Sequence, residues 1–269
     1  MNFLCSLGIV LVTMGHASSW TGKKGNPGGR SSQNSKEWQS LFDGHSLAGW
    51  RGFKSKVRPL SWEVRDGAIH RRPGVKEDDG GDLCTERQFQ DFELELEWKI
   101  AQGGNSGVKY LIREDRPRSW ERASFAYAAR ELRKRKDAAA RKELSELTVS
   151  KFRRFPIGFE YQIVDPKHPD SRTSSKHIAS ALYDLLAPQG VPPLREGFNQ
   201  TTIVVHNATV QHWLNGVKVL EFRQDSPELR EAIRNSKFRD MPGFGRFRRG
   251  HICLQDHGDE VWFRAIRIR

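Results

Sequence analysis

The chain has 269 residues, 36% of them hydrophobic, and a mean hydropathy of −0.69, which describes a soluble protein able to bury one large core or two small ones. Its net charge of +12 invites a nucleic-acid reading. Residues 114–155, however, carry 13 Lys and Arg against 7 Asp and Glu, and residues 18–37 carry 4 against 1, so the excess belongs to an insert and a tail. No nucleic-acid partner is expected. The insert reads as a solvated basic helix, with contact to an anionic surface as the alternative.

Met1 to Ala17 contains no charged residue and has an apolar run from Phe3 to Met14, followed by small residues before a cleavage point after Ala17. This reads as a signal peptide too short to be a transmembrane segment, and it predicts export to the periplasm or beyond. Residues 18–37, rich in Gly, Ser, Asn and Lys, read as a flexible linker.

The domain is expected over residues 38–269 and opens on WQSLFDGHSLAGW, where turn residues punctuate apolar anchors. Ser61–Val64 and Gly67–His70 read as a hairpin around Asp66-Gly67, and a loop over Asp78–Asp82 precedes a strand at Leu83–Thr85. FELELEWKI, Phe92 to Ile100, alternates without a break: Glu93, Glu95 and Glu97 share a solvated face, and Phe92, Leu94, Leu96 and Trp98 the buried one. The Gly-rich run Gly103–Gly107 precedes a strand from Val108 to Arg113. It lacks the Lys-Ser/Thr of a phosphate loop; its glycines let the backbone approach a neighbour or ligand closely, with Asn105 as a polar handle.

Residues 114–155 break the β pattern. Trp120 to Thr148 is rich in Ala, Glu, Leu, Lys and Arg, without Gly or Pro, and predicts one or two helices over an edge or mouth. Strands then return at Gly158–Asp165, Ala181–Leu185, Asn199–His206 and Val210–Leu214, the last leading into an Asn215-Gly216 hairpin. Ser226 to Ser236 predicts a short helix capped by Ser226 with Pro227 first. The C-terminal stretch GHICLQDHGDEVWFRAIRIR predicts two strands around a polar tip. Alternation there puts Gln255 and His257 on one face and turns Asp256 away, as support. Short strands joined by local hairpins describe an all-β sandwich. Three Cys provide no disulfide framework, and the strand-like surroundings of Cys84 and Cys253 favour free buried thiols over a pair.

Taken together, WQSLFDGHSLAGW, SWEVRDGAIH, FELELEWKI with GGNSGVKY, GFEYQIVD, ALYDLLAP, VQHWLNGVKVLEF and LQDHGDEVWFRAIRIR resemble the 3-keto-disaccharide hydrolase family, also described as 3-keto-glucoside lyases and 3-keto-2-hydroxy-glucal hydratases. The resemblance implies a concanavalin A-like jelly-roll β-sandwich, here with a charged helical insertion. It also implies an exported enzyme that cleaves 3-keto-glucosides by C2 proton abstraction, β-elimination and rehydration. Two departures stand out: the long helical insertion, and Leu111 where an Arg is common.

The chemistry requires a base, an acid for the leaving oxygen and something to hold the enolate. Glu160 and His257 are the candidate catalytic residues, since His257 titrates near neutrality. Glu160-Tyr-Gln-Ile-Val-Asp165 is similar to the paired-carboxylate spacing of laminarinase-type sandwiches, with Gln162 in place of a carboxylate. Asn105, Gln162, Tyr183, Asp184, Trp213 and Gln255 are the candidate substrate-binding residues, Tyr183 and Trp213 by stacking on a ring. A divalent metal held by His257 with Glu160 or Asp184 would stabilise an enediolate, although no compact ligand motif demands one. The competing class is a non-catalytic, lectin-like carbohydrate-binding module on the same sandwich.

Overall fold

Alternation decides the first sheet. The computed structural model describes residues 37–75, 81–153 and 155–269; the expected signal peptide, the expected linker up to residue 36, and most of the loop expected at Asp78–Asp82 lie outside the described residues. Among the described residues, β6 (Phe92–Ile100) sits at the centre of an eight-stranded antiparallel sheet. On one side of it lie β9 (Asn199–His206), β10 (Thr209–Leu214) and β11 (Val217–Arg223). On the other lie β13 (Val261–Ile268), β4 (Ala68–Arg71) and β3 (Trp62–Arg65), with β1 (Gln39–Ser40) paired to the end of β13. Phe92, Leu94, Leu96 and Trp98 of β6 are buried while Glu93, Glu95 and Glu97 face out. Each glutamate accepts a 2.7 Å hydrogen bond from an arginine on or just beyond β13: Arg269, Arg267 and Arg264 in turn. Such exposed pairs contribute about 0–1 kcal/mol each; their value is register, because a one-residue slip would set like charges against apolar side chains.

The second sheet, of five strands, runs β2 (Trp50–Gly52), β5 (Leu83–Thr85), β12 (His251–Leu254), β7 (Asn105–Ile112), β8 (Phe159–Val164). Its inward residues, among them Leu83, Val108, Tyr110, Phe159, Tyr161, Ile252 and Leu254, meet those of the first sheet in one core. Two polar contacts cross that core. The Tyr110 hydroxyl lies 2.8 Å from His212 Nε2, and His212 Nδ1 lies 2.9 Å from the Ser180 carbonyl. Burial pushes the His212 imidazole down to about 4, so it stays neutral and its two ring nitrogens serve one donor and one acceptor. The result is a concanavalin A-like jelly-roll β-sandwich with a helical insertion.

Two tight hairpins come out where the turn dipeptides place them. Asp66-Gly67 has φ of 51° and 71°, and Asn215-Gly216 has 50° and 83°, the left-handed pair that a two-residue turn between twisted strands requires. The capped helix also forms: α3 (Pro227–Arg234) begins with the Ser226 side chain accepting from Leu229 N.

Other expectations are corrected. Cys84 and Cys253 form a disulfide, because they are directly opposed in the β5–β12 pairing with Cα atoms 4.0 Å apart. Strand-like surroundings could not reveal that the two strands are neighbours. Ala181–Leu185 is not a strand: Leu182 makes only isolated bridges to Tyr161 and Leu186, and positive φ at Ser180 and Asp184 turns the chain at both ends. Strand β7 starts earlier than expected, at Asn105, and bulges at Leu111 (φ 55°). The bulge carries Leu111 into the core, so its side chain is lost to any polar contact. Gly250 makes this possible, since a Cβ there would lie 2.3 Å from the Leu111 carbonyl carbon.

The five-stranded sheet differs from its partner in being buried on both faces: every residue of β5, β7 and β12 is buried. One cause is the insertion. Its helix α1 (Ser119–Lys134) and the short helical turn Val149–Arg153 cover part of the face turned away from the core, and α2 (Ala138–Glu146) packs on α1. Trp120 anchors α1, fully buried against Phe244 and Phe247 and donating its indole N–H to the Pro242 carbonyl at 2.9 Å. The helices expected there therefore form, and α1 sits over a cavity.

Candidate active site

The cavity has a volume of about 370 Å³ and opens beneath α1 on the outer face of the five-stranded sheet. Strand alternation supplies its floor. With Val108, Tyr110, Tyr161 and Ile163 turned into the core, Gly107, Lys109, Glu160 and Gln162 must turn outward. Register sets Lys109 directly opposite Glu160 and Gly107 opposite Gln162. Gln255, just past β12, donates its backbone N–H to the Gly107 carbonyl at 2.9 Å, and its side chain hydrogen-bonds Glu160. His257 stands on the wall, and Lys237 enters from the turn after α3.

Gly107 explains how a carboxylate fits on this floor. A Cβ at residue 107 would lie 2.9 Å from both Cγ and Oε1 of Glu160, so the missing side chain is the space that Glu160 occupies. Gly107→Ala should therefore displace Glu160 while leaving the fold in place. The expected result is a fall in kcat/KM of about tenfold to a hundredfold, the scale on which misplacing a reacting group by about 1 Å is felt. Thermal unfolding of the variant within a few degrees of the parent, with full activity retained, would refute this role.

Electrostatics sharpen the constellation. Burial raises the Glu160 carboxyl above its ordinary range, against the opposing pull of Lys109 and Lys237. Burial likewise lowers the Lys237 ammonium, against the pull of Glu160 and Asp184. A carboxylate made more basic and an amine made more acidic are suited to act as base and acid toward a substrate. Lys109 behaves otherwise. Burial acts to lower it, but Asp82 at 2.8 Å and Glu160 outweigh that, and it stays charged. Burial also lowers His257, with Asp259 opposing, which favours its neutral form.

Behind the floor runs a polar chain. Gln162, 1% exposed, donates from Nε2 to Asn105 Oδ1 at 3.1 Å, and Asn105 Nδ2 approaches His257 Nε2 at 3.5 Å. The Oε1 atoms of Gln162 and Gln255 are both buried without a hydrogen-bond partner. A buried amide oxygen left unpaired costs about 1–3 kcal/mol, a cost that a hydroxyl donor from a ligand would remove.

The other candidates lie elsewhere. Trp213 is on β10 of the opposite sheet, its side chain on that sheet's outer face with its indole N–H donated to Gln211 at 3.0 Å. It does not reach the cavity, and the stacking role expected for it is corrected: only the folded order of strands shows that β10 backs away from β8. Tyr183 is close to the site, but its ring already stacks on His177 at 4.7 Å and lies 4.1 Å beneath the Lys237 ammonium. Asp184 accepts from the Lys237 backbone N–H at 2.8 Å and pairs with His177 at 3.3 Å. His177 sits between Asp170 and Asp184, whose hydrogen bonds push it up to about 9, so it is charged. Tyr183 and Asp184 thus hold Lys237 in place and are not free to bind a sugar. Asp256 is support, as alternation indicates: it accepts from buried Arg71 at 2.7 Å and from Gly81 N at 3.0 Å.

With Asp184 committed to His177 and Lys237, the ligand set of His257 with Asp184 does not form. Among the described residues, no group of three or more His, Cys, Asp or Glu is arranged to hold a metal ion. Glu160 and His257, the other expected ligand pair, line the cavity together, but among the described residues no third such donor joins them.

Sequence reasoning missed Lys109 and Lys237. Lys109 had a signal, a lone cation inside the otherwise uncharged strand NSGVKYLI. Lys237 had none, because it reaches the floor only through the packing of the turn after α3.

Comparison with known proteins places these residues in context. Residues 37–269 match the family described as the 3-keto-alpha-glucoside-1,2-lyase-like domain. A Bacteroides thetaiotaomicron protein named 3-keto-disaccharide hydrolase is 32% identical over 249 residues, covering 86% of this chain and 77% of its own length. A Parabacteroides distasonis structure described as a candidate glycosyl hydrolase superposes with a TM-score of 0.65 at 23% identity, covering 86% of this chain and 93% of its own. A second from the same organism, so described, gives 0.55 at 20% identity over 87% and 99%. At these identities the two structures show the shared fold.

Proposed function

Because the chain belongs to the 3-keto-alpha-glucoside-1,2-lyase-like family, and so to carbohydrate-active enzymes of hydrolase type, we propose that it cleaves the glycosidic bond of 3-keto-glucosides. The observation that carries this reading is the cavity floor, where Glu160, raised by burial, and Lys237, lowered by burial, line one cavity beside Lys109, which its acidic neighbours hold protonated.

A ketone at C3 acidifies the C2 proton, which makes a carboxylate of raised basicity a sufficient base. Glu160 takes that proton, and the electron pair left on C2 delocalises into the C3 carbonyl, whose oxygen gains charge. Lys109, held protonated, is the nearby cation for that charge. The enolate then collapses toward C1, a C1=C2 double bond forms, and the glycosidic oxygen departs. It needs a proton, and Lys237 is a readier donor than an ordinary lysine because burial has weakened its hold on one. The product in the cavity is a 2-hydroxy-3-keto-glucal. Neutral His257 accepts a proton from water as the oxygen adds at C1, Glu160 returns its proton to C2, and the proton gained by His257 passes through solvent to restore Lys237. The sum is hydrolysis. The unpaired oxygen of Gln255, on the cavity lining, serves a sugar hydroxyl, and Gln162 and Asn105 support His257 from behind.

Incubating the purified protein with 3-keto-trehalose or a 3-keto-glucoside, and following the released aglycone and the glucal absorbance, tests the reading. Appearance of both is expected. Binding without turnover of any 3-keto-glycoside would instead favour the lectin-like module. Export belongs to the same reading: the uncharged apolar start with its cleavage point after Ala17 supports it, as does a Cys84–Cys253 disulfide, which persists in an oxidising compartment.

A further inference from the structure

The walls of the cavity are chemically divided. The floor presents Lys109, Glu160, Lys237, Gln255 and His257. The opposite wall is built from the insertion: Ser124, Tyr127 and Ala128 fall at i, i+3 and i+4 on one face of α1, and Phe152 and Phe155 follow from the return segment. Phe238 and Met241 close the side between them. This second wall offers a ligand two side-chain hydroxyls, Ser124 and Tyr127, and burial raises the Tyr127 phenol.

A second sugar ring carries hydroxyl groups around its edge, and each loses water on entry and needs a partner in exchange. The floor can supply such partners for one ring. The insertion wall has only the Ser124 and Tyr127 hydroxyls for another, whereas Tyr127, Phe152 and Phe155 match the flat face of an aromatic group. A volume of about 370 Å³ holds a keto-hexose and a ring of benzene size together. We propose that the insertion forms the leaving-group subsite and selects 3-keto-glucosides bearing an aromatic aglycone over 3-keto-disaccharides. The inference rests on the proposed 3-keto-glucoside activity and names the substrate class of that site.

The test compares 2-phenylethyl 3-keto-glucoside with a 3-keto-disaccharide, both of which release a poor alkoxide leaving group, so that binding rather than leaving-group acidity is compared. The kcat/KM for the phenylethyl substrate should be higher by about tenfold or more, the scale of burying an apolar group in a matched pocket. Tyr127→Ser and Phe155→Ser should each reduce that preference to within about threefold. Equal rates on the two parents, a preference for the disaccharide, or variants that lower both rates alike would overturn it. Should the variants unfold, product inhibition of the parent decides. Competitive inhibition by 2-phenylethanol at concentrations where glucose has no effect supports the subsite, and equal inhibition by the two refutes it. Turnover of both substrates without preference removes this inference alone, whereas turnover of neither removes the 3-keto-glucoside reading and this inference with it.

Discussion

Glu160→Gln should lower kcat on a 3-keto-glucoside by about 10³-fold, within the 10²–10⁴ range that a positioned general base supplies. The substitution keeps the volume and one oxygen of the side chain and removes only its capacity to take a proton. Substrate affinity should therefore persist, and a sugar analogue should bind the variant within a few fold of the parent. Stability gives an independent control. Burial raises the Glu160 carboxyl, meaning that the folded protein disfavours its ionised form relative to the unfolded chain. That penalty is absent below the unfolded value, grows as pH rises to the folded value, and persists above it. A neutral amide escapes it, so at neutral pH the variant should unfold at the same temperature as the parent or a higher one. Loss of activity together with a lowered unfolding temperature would assign Glu160 to the scaffold instead.

Lys237→Met should cost about 10²-fold in kcat on substrates with alkyl or sugar leaving groups, the contribution of a general acid. On a 4-nitrophenyl 3-keto-glucoside, whose leaving group departs without a proton, the loss should shrink to a few fold. A structural role would depress both alike, and that outcome would exclude Lys237 as the proton donor. The pH profile gives a second readout. Glu160 must be ionised, so activity should rise with pH through its raised value, and the lowering of His257 favours the neutral form it needs. Lys237 must be protonated, so activity should fall as pH passes its lowered value, earlier than an ordinary lysine would titrate. In Lys237→Met that alkaline limb should disappear.

Part of this site could be read from the chain directly. Strand alternation brings Glu160 and Gln162 to one face, and Gln255 and His257 to another single face, before any partner strand is known. Turn dipeptides of restricted conformation set the Asp66-Gly67 and Asn215-Gly216 hairpins. The composition of residues 114–155 is enough to announce helices. In each case the controlling interactions act within a few residues, so local sequence carries them.

What failed depends on contacts between distant segments. Cys84 and Cys253 are separated by 169 positions, and nothing near either shows that their strands pair. Trp213 alternates correctly on β10, but which sheet holds β10 decides that its side chain faces away from the cavity. Tyr183 and Asp184 lie near the floor, yet His177 and Lys237 already occupy them.

The sequence by itself determined the sandwich class, the faces of its strands, the hairpin turns and the family, because periodicity, turn chemistry and motif are properties of short stretches. Only the tertiary structure decided that Lys109 and Lys237 meet Glu160, that Gly107 leaves room for it, and that the insertion walls the cavity. Those facts are set by register across β7 and β8 and by packing of α1 over the sheet. Burial then does what no isolated residue can, raising a carboxylate and lowering an amine in the same cavity.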